Sequence, residues 1–592
     1  MDVAINLLDN DKEMKVEVKQ SNTALGEKAR QSWGSNVQSF LAHLGAVIGL
    51  GNIWRFPYIV YAYGGGAFLI PYLVFVIFGG FPLLFLEVAM GQYTREAAIN
   101  MWNIAPIMKG VGFACTVLVL YSNVYYITVM AWSIFYFVHS LTTSVLPWMH
   151  CDNWWNTNSC LPYDKFQFNA SQNVTMGAFE SSVNESVLPV IEFWDKYVLR
   201  KSAGLHELGS LNNWPMVLCL AAAWIIVYFC VFKGVKWSGK VVYFTATFPY
   251  IILLVLLVRG CTLDGALGGI HFYLKPNMTK LLEPNVWVQA CSQVCYSYAI
   301  CFAVMVAFGS YNHFHMDCYR HVIFLSVTCS LTSFVAGFAV FSVLGNMAYV
   351  MRKNVSDVVA SGPGLAFLTY PTGLSMLPLP QLWNSLFFFM LILIAIDSEF
   401  ACIEGLFSIF YDQWKVLRKY TKSFSAAVCF AQFLFGLLYV TEAGVYIFEL
   451  FNNFAVSGIA LLSVALLESI GVGWIYGADK AYDNIKEMIG YYPSVYIKFC
   501  WRFITPALLL GVLIFYIVMY KPLEIGGYVY PDWANGVGWL MCMSSFLCVP
   551  IYAIYEVQKH TGTFKERVLK SIAPYGISSP EIKAKLQGNG QT

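Results

Sequence analysis

Twelve apolar runs, each long enough to cross a bilayer, constrain this chain more than any other feature of its sequence. Roughly 20 helical residues span a hydrocarbon core ~30 Å thick. Runs of that length fall at about 39–63, 66–92, 112–140, 214–232, 240–259, 285–309, 320–347, 381–411, 424–441, 443–470, 498–519 and 535–556. Lipid offers no hydrogen-bond partner to bare backbone, so such a chain folds as helices, not as open sheet. Composition agrees: 58% of the 592 residues are hydrophobic and 12% charged, with a mean hydropathy of +0.59; these are membrane values. The predicted fold is all-α and integral to the membrane. A polar tail occupies 1–36, the membrane domain 37–556 and a second tail 557–592. A net charge of +2 gives no basic face for a nucleic-acid partner, and lipid is the expected surroundings.

Lys and Arg set the orientation, because they concentrate in cytoplasmic loops. Lys233, Lys236 and Lys240, then Arg320, then Lys415, Arg418, Lys419 and Lys422, then Lys480 and Lys486 fall in alternate loops. The connections near Gly64 and Thr441 have none. Both termini are therefore expected in the cytosol, and the first 36 residues lack the apolar core of a cleavable signal. The long hydrophilic loop 141–213 then lies outside. It carries the sequons of Asn169, Asn173 and Asn184 and the local pair Cys151 and Cys160, which together predict a glycosylated loop closed by a disulfide at a plasma membrane.

Two of the runs are interrupted. Gly45, Gly49 and Gly51 crowd the first, just before Asn52, Arg55 and Pro57. Each Gly weakens a helix by about 1 kcal/mol relative to Ala, and unwound backbone at membrane depth persists only where it lines protein or a watery cavity. Freed carbonyls suit Na⁺, and an exposed helix N-terminus attracts a carboxylate. The sixth run holds the polar and aromatic cluster Gln293–Ser297 at mid-depth. A break opening each of two five-helix halves is the pattern of an inverted-repeat transporter with its site between the breaks. The eighth run adds Asp397, Ser398 and Glu399; carboxylates so deep face the interior and serve an ion or a proton. The nine histidines show no paired metal-ligand spacing, and no nucleophile–base pair points to an enzyme.

These segments resemble the neurotransmitter:sodium symporters. Gly49–Tyr58 (GLGNIWRFPY), Gly64–Tyr72 (GGGAFLIPY), Tyr125 and Tyr126, Gly309–Asn312 (GSYN) and Ile396–Phe400 (IDSEF) carry the likeness, which runs from about Arg30 to Tyr555. Ser297–Cys301 (SYAIC), Trp102–Pro106 (WNIAP) and Ser361–Phe367 (SGPGLAF) are most similar to the GABA, betaine, taurine and creatine transporters. Gly49 stands where monoamine transporters carry an aspartate, so the resemblance implies a zwitterionic solute with its own carboxylate or equivalent anion.

The resemblance implies Na⁺-coupled, chloride-influenced symport with no cofactor. One sodium site would use the backbone of Gly45, Ile48 and Ile394 with Asp397 and Ser398, and the other the Val47 backbone with Asn52 and Ser297. Chloride would sit among Tyr72, Gln293, Ser297 and Ser333. Tyr126 would cap the solute carboxylate, while Val47, Gly49, Gly51, Ser122, Tyr296, Tyr298, Glu399 and Cys402 shape the pocket. Arg30 and Asp412, with Tyr311 beneath, match the cytoplasmic gate, and Arg55 matches the outer gate. The usual acidic partner of Arg55 is Asn452 here; Cys329, Ala299 and Glu399 likewise replace an asparagine, a glycine and a neutral residue of the family. These departures motivate a second reading, a non-transporting solute sensor or scaffold. Solute identity, ion stoichiometry and oligomeric state are left open by the sequence.

Overall fold

The computed structural model describes residues 31–160, 187–352, 354–355, 364–525 and 527–575. Ten continuous helices among them are long and apolar enough to cross a membrane: Gly65–Thr94, Pro106–Ser140, Trp214–Val231, Trp237–Cys261, Cys318–Met351, Pro380–Gln413, Thr421–Val440, Gly444–Ile489, Val495–Val518 and Asp532–Lys559. The first span is a pair, Asn36–Val47 and Gly51–Ala62, bent by 53° at its break. The sixth is split into Pro284–Ser297 and Val304–Ser310, so each broken run is one span in two pieces. Strand is confined, among the described residues, to a hairpin pairing Glu524–Ile525 with Tyr528–Val529.

Local chemistry explains where these helices start and stop. The Ser35 side chain accepts from the Gln38 amide and caps the first span, satisfying one of the orphan donors every helix start leaves. Pro57 opens the α-helical stretch Phe56–Ala62, directly after a wider π turn at Gly51–Arg55. In the sixth span Ala299, Cys301 and Ala303 take positive φ of 51°, 63° and 61°. No L-residue helix continues through such angles.

The third and eighth spans pack along most of their length and form the interior scaffold. The eighth is largely enclosed, whereas the eleventh and twelfth lie at the periphery. Side chains such as Leu218, Ile225, Leu254, Phe324 and Leu331 are exposed and apolar. An apolar exterior around an apolar interior fits a chain solvated by lipid, and the helices associate by packing and hydrogen bonds, not by a water-driven effect.

Outside the spans, Cys151 and Cys160 are joined by a disulfide with their Cα atoms 5.8 Å apart. Asn169, Asn173 and Asn184 lie outside the described residues. After the last span a helix at Phe564–Ile572, closed by a capping box of Thr563 and Glu566, leads to Tyr575, whose amide donates to the Asn103 carbonyl at 3.1 Å.

Candidate functional site

The broken first span meets the third, sixth and eighth around one small cavity and the fifth and eighth around another. The larger, about 40 Å³, is lined by Ala46, Val47, Gly49, Gly51, Asn52, Ser122, Tyr126, Tyr296, Ser297, Ala299, Phe302, Ser398 and Cys402. This is room for a few water molecules and too small for an amino acid, so its walls must part to admit one. The helix opened at Ile48 leaves the Leu50 amide without an intrahelical acceptor, and it donates to the Tyr126 hydroxyl at 3.0 Å. Gly49 fits only because it has no side chain: a Cβ there would stand 3.0 Å from both Ser398 Oγ and Tyr126 Oη.

Below it lies a cavity of about 20 Å³ walled by Leu44, Gly45, Ile48, Thr245, Ala246, Pro249, Tyr250, Ile394 and Asp397. Asp397 is buried, and its Oδ1 has no hydrogen-bond partner. Ser398 Oγ donates to the Gly45 carbonyl at 3.4 Å. The structure thus gathers Gly45, Ile48, Ile394 and Asp397 about one space, with Ser398 beside Gly45. Thr245, from the fifth span, joins this wall without any motif in the sequence to mark it.

Asn52 organises the second polar cluster. Its Nδ2 faces three acceptors: Ser297 Oγ at 2.8 Å, Ser333 Oγ at 2.9 Å and Cys329 Sγ at 3.3 Å. Two hydrogens cannot serve three acceptors well, and the sulfur is the weakest of them. Cys329 Sγ also lies 3.5 Å from the Val47 carbonyl. Gln293 Nε2 donates to the Gly51 carbonyl at 3.1 Å, while its Oε1 has no partner. Tyr72 Oη donates to Ser330 Oγ at 3.3 Å and stands beside Ser333. Tyr72, Gln293, Ser297 and Ser333 therefore converge around Asn52.

Two expected pocket residues lie elsewhere. Tyr298 does not line the cavity; its hydroxyl is 2.8 Å from both Ser326 Oγ and Ser330 Oγ on the seventh span, because the chain unwinds at that residue and turns its ring away. Glu399 does not line it either. Its carboxyl is buried with both oxygens unpartnered, since it follows Ser398 by about 100° around the helix and faces packing. Ala46 and Phe302 line the cavity and were not expected.

The unwound stretch of the sixth span is held by carboxylates that the sequence motifs did not single out. Glu87 Oε1 accepts from the Cys301 amide at 2.6 Å, and Cys301 Sγ donates to Glu468 Oε2 at 3.1 Å. Their donor atoms and the thiol lie within 4.8 Å of one another, but the contacts made there are hydrogen bonds to the break itself. The signal was available: Glu87 stands inside the otherwise apolar second run, and Glu449 and Glu468 inside the tenth.

Of the residues expected at the gates, Arg55 Nη2 lies 3.5 Å from Ser292 Oγ, with the guanidinium 5.1 Å from the Tyr296 ring centroid. Asn452 Nδ2 donates to Glu449 Oε2 at 3.1 Å. On the other face Asp412 accepts from the Ala97 amide at 2.7 Å and from Arg418 at 2.9 Å. Tyr311 is buried, and its carbonyl accepts from the Trp33 amide at 3.1 Å. Arg30 lies outside the described residues.

Two broken spans enclosing a polar site at the centre of an all-helical membrane body define a secondary transporter, not an enzyme. The chain belongs to the sodium:neurotransmitter symporter family, whose model matches residues 30–560. It is 47% identical over 554 residues to the sodium- and chloride-dependent GABA transporter 2 of Mus musculus, covering 93% of this chain and 90% of that one. The Homo sapiens GABA transporter 2 is 46% identical over the same length and coverage. The Homo sapiens sodium- and chloride-dependent taurine transporter is 46% identical over 550 residues, covering 92% of this chain and 87% of the relative.

Proposed function

We propose that this protein carries a small zwitterionic solute, of the GABA, taurine, betaine, creatine or amino-acid kind, across the plasma membrane together with Na⁺ and Cl⁻. The observation that carries the reading is the meeting of both broken spans at one buried cavity, with the buried Asp397 lining the adjacent one. Asp397, with the Gly45, Ile48 and Ile394 carbonyls and Ser398, would hold one sodium ion, since a buried carboxylate needs a cation to offset its desolvation. Val47, Asn52 and Ser297 would contribute to a second, and Tyr72, Gln293, Ser297 and Ser333 to chloride. Tyr126 and the Leu50 amide offer donors for the solute carboxylate. The small Gly49, Gly51 and Ser122 leave space, and Tyr296 and Cys402 close it.

In this reading sodium and solute draw the first and sixth spans against the third and eighth. The outer vestibule closes, and the bundle of the first, second, sixth and seventh spans rocks to open inward, with both termini in the cytosol. Radiolabelled GABA, taurine, betaine and creatine uptake in expressing cells, with Na⁺ or Cl⁻ replaced in turn, tests it. Saturable uptake of at least one that collapses without Na⁺ supports the reading. Solute-dependent stabilisation of the purified protein with no uptake of any would instead favour the sensor, the alternative to which Cys329 and Asn452 point.

A further inference from the structure

Arg55 is a cation in search of an anion. Its Nη1 is buried and has no hydrogen-bond partner, and its remaining polar contact is the long one to Ser292. A buried guanidinium left so poorly satisfied is costly unless a carboxylate reaches it in some state of the cycle. Asn452 cannot supply the charge. Its Nδ2 instead donates to Glu449 Oε2 at 3.1 Å, and the adjacent Phe448 packs on Tyr125, whose hydroxyl meets that of Tyr296, the ring 5.1 Å from the Arg55 guanidinium.

We infer that Glu449, one helical turn before Asn452, is the acid that closes over Arg55 at the outer gate. Residues three apart share a helix face and are offset by about 4.5 Å along its axis. The acid has therefore moved toward the Thr441 end of the span, and the extra methylene of Glu over Asp recovers part of that reach. In the present structure no ion pair joins the two groups, and the Asn452 amide holds the carboxylate back. Closure moves the carboxylate from a neutral amide donor to a charged one, which makes the stronger hydrogen bond. A gate set one turn further out encloses a longer chamber beneath Arg55 and Tyr296.

The inference rests on the transport reading, so its test uses a signal that needs no transport. Cys402 lines the cavity beneath the gate, and a membrane-impermeant thiol reagent added outside intact cells reaches it only when the gate is open. Labelling of Cys402, read by peptide mass spectrometry in sodium medium, should accelerate at least about fivefold in E449Q, where a charge-assisted pair is lost. Adding N452D to E449Q returns an acid to the face of Arg55 and should bring the rate back to within about twofold of wild type. Should E449Q not reach the surface, E449A serves in the same comparison. Wild-type labelling in the Glu449 variant, or no reversal by N452D, overturns the inference. Absence of Na⁺-dependent uptake in wild type, with the labelling pattern as expected, would overturn the transport reading and leave the gate standing.

Discussion

Cys329 stands among the residues proposed to hold the second sodium ion and the chloride. Its thiol competes with Ser297 and Ser333 for the amide of Asn52 and lies 3.5 Å from the Val47 carbonyl. Sulfur is a soft, weak ligand for a hard cation, whereas an amide oxygen is a good one and its NH₂ an anion donor. Cys329→Asn is therefore expected to lower the Na⁺ concentration for half-maximal uptake and to steepen the chloride requirement, as sodium and chloride titrations of uptake will show. Unchanged titrations at normal surface expression would remove Cys329 from the ion site. Ala299 is the complementary case, a side chain where the backbone would prefer none. At φ 51° a non-glycine residue costs about 1–2 kcal/mol, partly offset in Ala299→Gly by ~0.4–1 kcal/mol of added unfolded-chain entropy. The variant should melt at a slightly higher temperature in detergent, by the equivalent of under about 2 kcal/mol.

At the scale of elements, the outer loop is fixed by a hydrogen-bonded carboxylate as much as by its disulfide. Glu192 is buried and accepts from Asn156 Nδ2 at 3.0 Å, from the Thr157 amide and hydroxyl, and from Lys196 at 2.9 Å. Burial alone would raise its carboxyl, but these bonds outweigh burial and hold it down at about 2. Because the folded group titrates below its ordinary 4.5, its contribution is complete above that value and fades as pH falls toward 2. The protection of the 151–160 amides, measured against their intrinsic exchange rate at each pH, should hold down to about pH 4 and fall below it. In Glu192→Gln the same segment should be less protected at neutral pH, with little further change on acidification; a pH profile identical to wild type would show that the disulfide alone fixes the loop. The breaks obey a similar logic. The sixth span unwinds where Glu87 and Glu468 can hold its freed groups, so the interruption is a property of three spans together.

For the whole molecule, Asp397 is where the eighth span meets the broken first span. It sits on the eighth span against Gly45 of the first, where a Cβ would come within 2.8 Å of its Oδ2. Asp397→Ala removes the one anionic side chain proposed for a cation site, in surroundings where charge is worth several times its value in water. Uptake should vanish while surface protein persists; wild-type uptake would refute the sodium assignment. Apolar runs of spanning length, the break at Gly49–Gly51 and the carboxylate of the eighth run were legible in the sequence, because lipid enforces length and helicity locally and because breaking residues act on their own backbone. So was the pairing of Cys151 with Cys160, whose proximity along the chain limits the loop they close. What only the tertiary structure decided was direction around each helix and the partners met there. Tyr298 turns to the seventh span, Glu399 into packing, Thr245 into the wall beside Asp397, and Glu449 shares its face with Asn452. In a chain that is apolar inside and out, hydrophobic periodicity does not say which side of a helix faces the site, so those positions follow from packing.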